Sequence, residues 1–453
     1  MKQNPLLIAV LVLVVLGGFV YYTRENPPDP ESDTVPLVRV DEAAVRKVTV
    51  AKPGGETIVV QREADQPWKF GNGVTAPADE SAIDLMITNL ASLGASRVVQ
   101  EETPDWAPYG LDGDGQLRVT VETAEGDPKS IIFGEDTPTG ASVFARLDGD
   151  PRLFTTFSYA RDNFDKTVFD WRDKRLLRVD PNTTTTLTLN VGPRRLKFAK
   201  QNEDWQIVEP ANLRADQLAV GDLERELANA RMSSVLAEGD DGAANEYSAS
   251  KPYAVAEIVD SAGAHVLTIA EGGPSGYYAK SSDLPGGVYE APETLATSLD
   301  KGLDAYRDRK LFDFGFGDLS RINVRDSAKE ASIVRRDDKW ILSSDGDREV
   351  AAERVQALID SLRNLSAVGF PANDAAAQSR YGLDAPVIEA ETTLALDGAT
   401  GEKVIISDPS RSQVYAARVG EGPTYEVEKA AVDGIRQAID AVLAPAPAPA
   451  APQ

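Results

Sequence analysis

The chain has 453 residues, 42% hydrophobic and 26% charged, with a net charge of −25 and no cysteine. This is enough apolar material for several cores, while the negative charge opposes nucleic acid and anionic lipid headgroups as partners. The lack of cysteine excludes disulfides and thiolate metal sites.

From Leu6 to Tyr22 the chain is apolar apart from Gly17 and Gly18, about the length that crosses a hydrocarbon core as a slightly short helix. Residues 5–22 therefore read as a transmembrane anchor behind a cytoplasmic stub at 1–4. A cleaved signal peptide is the competing reading, but the segment ends without small residues in an A-x-A arrangement, and its aromatics suit a membrane interface. Lys2 precedes the span, whereas Arg24 after it is followed at once by acids, so the charge bias places the amino terminus in the cytoplasm. The expected location is thus the inner membrane, single-pass, with the bulk outside the cytoplasm. Residues 23–36, acidic and carrying Pro27, Pro28, Pro30 and Pro36, read as an extended spacer. Residues 444–453, alternating Ala and Pro, read as a stiff tail.

Between spacer and tail one unit recurs. Trp68, Trp205 and Trp340 are separated by 137 and 135 residues (205−68, 340−205), and each follows strand-like runs: 45–50 with 57–60, 186–190 with 196–198, and 322–324 with 332–334. Pro53-Gly54-Gly55 and Gly192-Pro193 supply turn residues for the first two hairpins. Asp79, Asp216 and Glu353 each open an apolar run of helical period, and an acid in the first turn offsets the helix dipole. A Trp ending the same hairpin in each copy most simply buries its ring beneath that helix.

The register continues downstream. Tyr109-Gly110-Leu111-Asp112 recurs as Tyr381-Gly382-Leu383-Asp384, with only a degenerate form near Tyr247 in the middle copy. A left-handed Gly turn with Tyr and Leu packed inward accounts for it. Phe144-Ala145, Tyr278-Ala279 and Tyr415-Ala416 follow, then Phe154, Tyr289 and Tyr425. Finally Trp171-Arg172-Asp173-Lys-Arg answers Tyr306-Arg307-Asp308-Arg-Lys, and the third copy ends without it. Aromatic and Arg residues suit packed interfaces, so these segments read as inter-module joints. A basic patch for an anionic ligand is the rival reading, weakened by the internal acid. The expected architecture is α+β: three tandem strand-hairpin/helix/strand modules at 37–177, 178–312 and 313–443.

Catalytic constellations are scarce. The single histidine, His265, lies in an alternating, strand-like run without a G-x-S-x-G elbow, and reads as facing solvent or a hydrogen-bond partner. No phosphate-binding loop or dinucleotide fingerprint occurs, so no nucleotide and no other cofactor is expected. Asp112-Gly-Asp114, Asp148-Gly-Asp150, Asp240-Asp-Gly242 and Asp345-Gly-Asp347 fail the EF-hand spacing and read as turns. Among 72 acids, no carboxylate pair stands out for a hydrolase.

Taken together, the anchor, the Trp after a strand pair, the Tyr-Gly-Leu-Asp turn, the Phe/Tyr-Ala strand and the Arg-Asp-Lys joint resemble the bacterial family of domain of unknown function 4340, over residues 37 to about 442. The resemblance implies a single-pass envelope protein found beside ABC transporters of the gliding-motility type, with no catalytic residues to transfer. The expectation is a non-enzymatic extracytoplasmic scaffold whose partners are ABC transporter subunits or other envelope proteins. The alternatives are a glycan- or peptide-binding module using grooves lined by Phe144, Tyr278 and Tyr415, and a carboxylate-dependent hydrolase.

Overall fold

A computed structural model describes residues 35–113, 116–238, 241–274, 276–284, 286–395 and 401–445. The expected stub, anchor, most of the spacer and most of the tail lie outside these residues. Among the described residues no helix is long and apolar enough to cross a membrane.

The chain separates into two compact units, one up to Lys174 and one from Arg175. The first unit carries one large sheet, ordered edge to edge as Lys69–Phe70, Thr57–Gln61, Val45–Ala51, Leu117–Thr123, Lys129–Asp136, Ser142–Leu147, Leu153–Phe157 and Arg97–Gln100. The second unit carries two sheets with the same order, each extended by one further edge strand, Leu213–Arg214 and Arg348–Val350. Every pairing is antiparallel. Each module is therefore larger than the expected hairpin, helix and strand. Two meanders meet through their first strands, for example Val45–Ala51 against Leu117–Thr123. The strand that follows the helix crosses to the far edge, as Arg97–Gln100 does against Leu153–Phe157.

Strict alternation buries one sheet face, as in Leu117–Thr123, where Leu117, Val119 and Val121 point inward. The helix Glu80–Ala91 seals that face with Ile83, Met86, Ile87 and Leu90. Its counterparts are Gln217–Ala228, using Val220, Leu223 and Leu227, and Ala352–Arg363, using Val355, Leu358, Ile359 and Leu362. Asp79 and Asp216 are the N-caps of the first two, each accepting from backbone N–H groups one turn ahead. The third departs: Ala351 occupies the cap without a side-chain acceptor, and Glu353 lies within the first turn.

Trp68 immediately precedes the third strand of its meander, and Trp205 and Trp340 lie within theirs, Asp204–Glu209 and Lys339–Leu342, rather than ending the hairpin. Trp68 and Trp205 are buried. The first helical residue reaches back to each: Glu80 accepts from the Trp68 N–H at 2.6 Å, and Gln217 from the Trp205 N–H at 2.7 Å. Trp340 is only half-buried, which corrects the expectation of three equally buried rings. Its helix begins with Ala352, which has no polar side chain to reach back.

The aromatic repeats fall into two sets. Phe154, Tyr289 and Tyr425 are core residues, each directly opposite the alanine of the neighbouring strand: Ala145, Ala279 and Ala416. A small residue facing a large one lets these pairs fill the layer without a void. Phe144, Tyr278 and Tyr415 point the other way and meet Tyr109, Tyr247 and Tyr381 at centroid distances of 5.0, 6.2 and 4.8 Å. The Tyr-Gly-Leu-Asp segment is thus a plug on the outer sheet face. Gly110 and Gly382 adopt φ of 62° and 75°, and Leu111 and Leu383 are buried behind them. In the middle copy the helix Asp241–Ala249 replaces this turn, and Tyr278 donates to Glu246 at 2.8 Å.

Candidate functional site: the joints and the histidine staple

Trp171 to Asp173 forms a two-bond bridge with the segment just before the first module helix. The Asp79 N–H donates to the Trp171 carbonyl, and the Asp173 N–H to the Pro77 carbonyl, both at 2.9 Å. Trp171 is buried in the core of the first unit, and Arg172 and Asp173 are buried beside it. A capping box between Thr167 and Asp170 fixes the short helix that delivers the ring.

Tyr306 to Asp308 repeats this geometry inside the second unit. The Asp216 N–H donates to the Tyr306 carbonyl at 2.8 Å, and the Asp308 N–H to the Arg214 carbonyl at 3.0 Å. The next residues then pair with the third module: the Ala367 N–H donates to the Arg309 carbonyl at 2.8 Å, and the Leu311 N–H to the Leu365 carbonyl at 3.3 Å. One extended hexapeptide, 306–311, therefore adds a bridge to both sheets of the second unit. Tyr306 packs edge-on against Phe198 at 5.2 Å, and burial pushes its hydroxyl pKa up to about 12. Arg307, 3% exposed, lies 3.7 Å over the Phe370 ring and donates to Asn373 Oδ1 at 2.7 Å. Burial lowers its pKa, yet a guanidinium titrates so high that it stays charged. The ring and the amide thus hold a desolvated cation on the face of the third module. Around it Arg214 pairs with Asp308 and Asp313, and Arg418 pairs with Asp313 at 3.1 Å and Glu421 at 2.7 Å.

The segment entering each module has a common form that was not read from the sequence. Leu37, Leu176 and Leu311 each donate a backbone bond to the second residue after the module helix (Leu93, Ala230 and Leu365). The pairs Leu37-Val38, Leu176-Leu177 and Leu311-Phe312 are all buried. The signal was present, two apolar residues spaced 139 and 135 apart (176−37, 311−176), but it is too short to stand out beside the tryptophans.

His265 gains two partners. Its Nδ1 lies 2.8 Å from Asp283 Oδ2 and its Nε2 lies 3.1 Å from Asp260 Oδ1. The same carboxylates accept from the Arg178 N–H at 2.6 Å and the Asp180 N–H at 2.9 Å, so the cluster staples the entering segment of the second module to its sheet. Burial opposes charge on the imidazole, but its hydrogen bonds to the Asp283 and Asp260 carboxylates outweigh it and raise the His265 pKa. The Asp180 N–H, helped by His265 and the Ala262 N–H, lowers the Asp260 carboxyl to about 2 despite burial. With a carboxylate at each ring nitrogen, neither nitrogen is left to act as base for a nucleophile.

The Asp-Gly-Asp runs are turns where described. Gly149 and Gly346 have φ of 81° and 62°, Asp150 pairs with Arg152 at 2.7 Å, and Asp345 with Arg348 at 2.9 Å. Asp114 and Asp240 lie outside the described residues. Among the described residues no group of three or more His, Asp or Glu is placed to hold a metal ion.

No curated protein and no solved structure matches the chain. A family model does, twice and in register with the tryptophans, over residues 68–204 and 205–386, the first match ending where Trp205 begins the second. Those matches span well over half of the sequence, and the chain belongs to the family described as a domain of unknown function, DUF4340.

Proposed function

We propose that the chain is a non-enzymatic scaffold, anchored in the membrane by residues 5–22, with its modules on the extracytoplasmic side as an accessory to an ABC-type transport complex. The observation that carries the scaffold reading is the joint at 306–311, which adds a strand bridge to two sheets and buries Tyr306 and Arg307 at their meeting. A buried aromatic and a buried Arg at a module boundary serve to fix geometry, as they do at packed interfaces. The transporter as partner class comes from the family resemblance, and the membrane placement from the apolar amino-terminal run.

A glycan or peptide groove lined by Phe144, Tyr278 and Tyr415 is disfavoured, because each ring is already packed on a tyrosine of its own module and Tyr278 is buried. The scaffold reading is tested by crosslinking in native membranes followed by purification of the anchored chain. Reproducible recovery of transporter subunits supports it, and their absence from repeated preparations counts against it.

A further inference from the structure

The third module repeats the edge that receives the joint in the other two, and no described residue bridges it. In the second module Ala215 pairs with Arg307, so that the Arg214 carbonyl and the Asp216 N–H are both bonded. One period on (350−215 = 135), the equivalent residues are Glu349, Val350 and Ala351. Val350 is buried, but Glu349 and Ala351 are exposed. Ser343 donates to Ser332, which makes Ile341 face Val334 and turns the Glu349 backbone outward. Among the described residues, neither the Glu349 carbonyl nor the Ala351 N–H has a hydrogen-bond partner.

Among the described residues the chain does not return to this edge. Its last helix, Lys429–Leu443, fills the third core with Val432, Ile435, Ile439 and Val442. The carbonyls that end it are taken by side chains: Val442 and Leu443 by Arg348, Ala444 by Arg354. The core position is thus closed, while the backbone edge has no partner among the described residues.

We propose that Glu349–Ala351 is a docking edge for an extended segment of a partner polypeptide, which adds a strand bridge as the joints do. The surface is the third module's version of the one that modules two and three already use to meet. Charge specifies the occupant further. Arg214 in the second module pairs with Asp308 of the joint, whereas its counterpart here is Glu349. The incoming segment therefore carries Lys or Arg where the joint carries Asp. Glu349 now pairs with Lys339 at 2.8 Å, but both side chains are exposed, and such a pair is exchanged at little cost. This inference deepens the scaffold reading and rests on it.

The probe is a labelled synthetic peptide spanning Leu303 to Phe312 with Asp308→Arg, compared with the parent peptide on the full-length chain in detergent. The altered peptide should bind about tenfold more tightly than the parent, and it should slow amide exchange at Ala351, whose N–H the bridge engages. Ala351→Pro removes only the outward N–H, since Ala351 has φ −58°, which suits proline, and it should weaken binding about tenfold. Glu349→Arg keeps the backbone intact and should reverse the preference towards the parent peptide. Absence of binding, equal binding of the two peptides to the native chain, or undiminished binding to folded Ala351→Pro would overturn the proposal. Recovery of transporter subunits from native membranes is read separately, so failure of the peptide leaves the scaffold reading standing.

Discussion

His265 makes a direct physical test, because it is the sole histidine and its imidazole resonances are unambiguous in an untagged chain. Consider His265→Gln. Protonated, the ring makes charge-assisted bonds to Asp260 and Asp283, and such bonds contribute about 1.5 to 3 kcal/mol each before desolvation is subtracted. Breaking a buried ion pair costs about 3 to 5 kcal/mol when the remaining charge is left alone. Here it is not alone: Asp260 keeps the Asp180, Ala262 and Gly263 N–H groups, and Asp283 keeps the Arg178 N–H. The expected loss is therefore about 2 kcal/mol at pH 6, confined to the second unit's unfolding transition. Its pH dependence follows from the directions of the shifts. The folded pKa of His265 lies above its usual 6.5, so its contribution is complete below that value and is lost as pH rises through the folded pKa. Asp260 works from the other side, because its carboxyl falls from 3.8 to about 2. Its contribution is present above the unfolded value and is lost as pH falls toward 2. Titration of the labelled imidazole by NMR should give a midpoint above 6.5, and the native-minus-variant stability difference should shrink from pH 6 to pH 9. A midpoint at or below 6.5, or a difference that grows with pH, would refute the staple.

Other consequences are equally specific. Tyr306→Phe should be neutral or stabilising by about 1 kcal/mol in denaturant unfolding, because the buried Tyr306 hydroxyl has no hydrogen-bond partner among the described residues. Arg307→Ala should instead cost about 3 kcal/mol, since it empties the site over Phe370 and leaves Asn373 without its donor. Ala351→Asp should raise the third module's stability by about 1 kcal/mol, by supplying the cap that Asp79 and Asp216 provide elsewhere; an unchanged melting temperature would contradict this. Gly134→Ala should loosen the outer-face plug of the first module, because a Cβ there would collide with the Tyr109 carbonyl and come within 2.9 Å of Leu111 Cγ. Hydrogen exchange at Tyr109 to Leu111 is the readout.

The sequence carried the period but not the extent of each sheet. Tryptophans, helix-opening acids and Tyr-Gly-Leu-Asp turns are local patterns, so the places of Asp79, Asp216, Gly110 and Gly382 could be read directly. The crossing of Arg97–Gln100 to the far edge is a pairing over more than fifty positions, to Leu153–Phe157, and no local pattern encodes it. Trp340 departs from the period, and its helix also lacks the polar first residue that accepts from the Trp68 and Trp205 N–H groups in the other modules. His265 stood alone in the sequence because its partners lie across a turn and on the next strand connection, at Asp260 and Asp283. The joints could be located from an aromatic beside an Arg, but the strands they bridge, at 77–79, 214–216 and 365–367, come only from the fold.

The central claim is that function resides in surfaces which the joints hold in a fixed arrangement. The direct measurement is recovery of transporter subunits by crosslinking in native membranes, for the native chain beside the Arg307→Ala chain inserted at the same level. The account predicts that the native chain recovers them and that the joint variant, folded by circular dichroism, recovers far less. Failure of the native chain to recover any transporter subunit, or equal recovery by both, would contradict it.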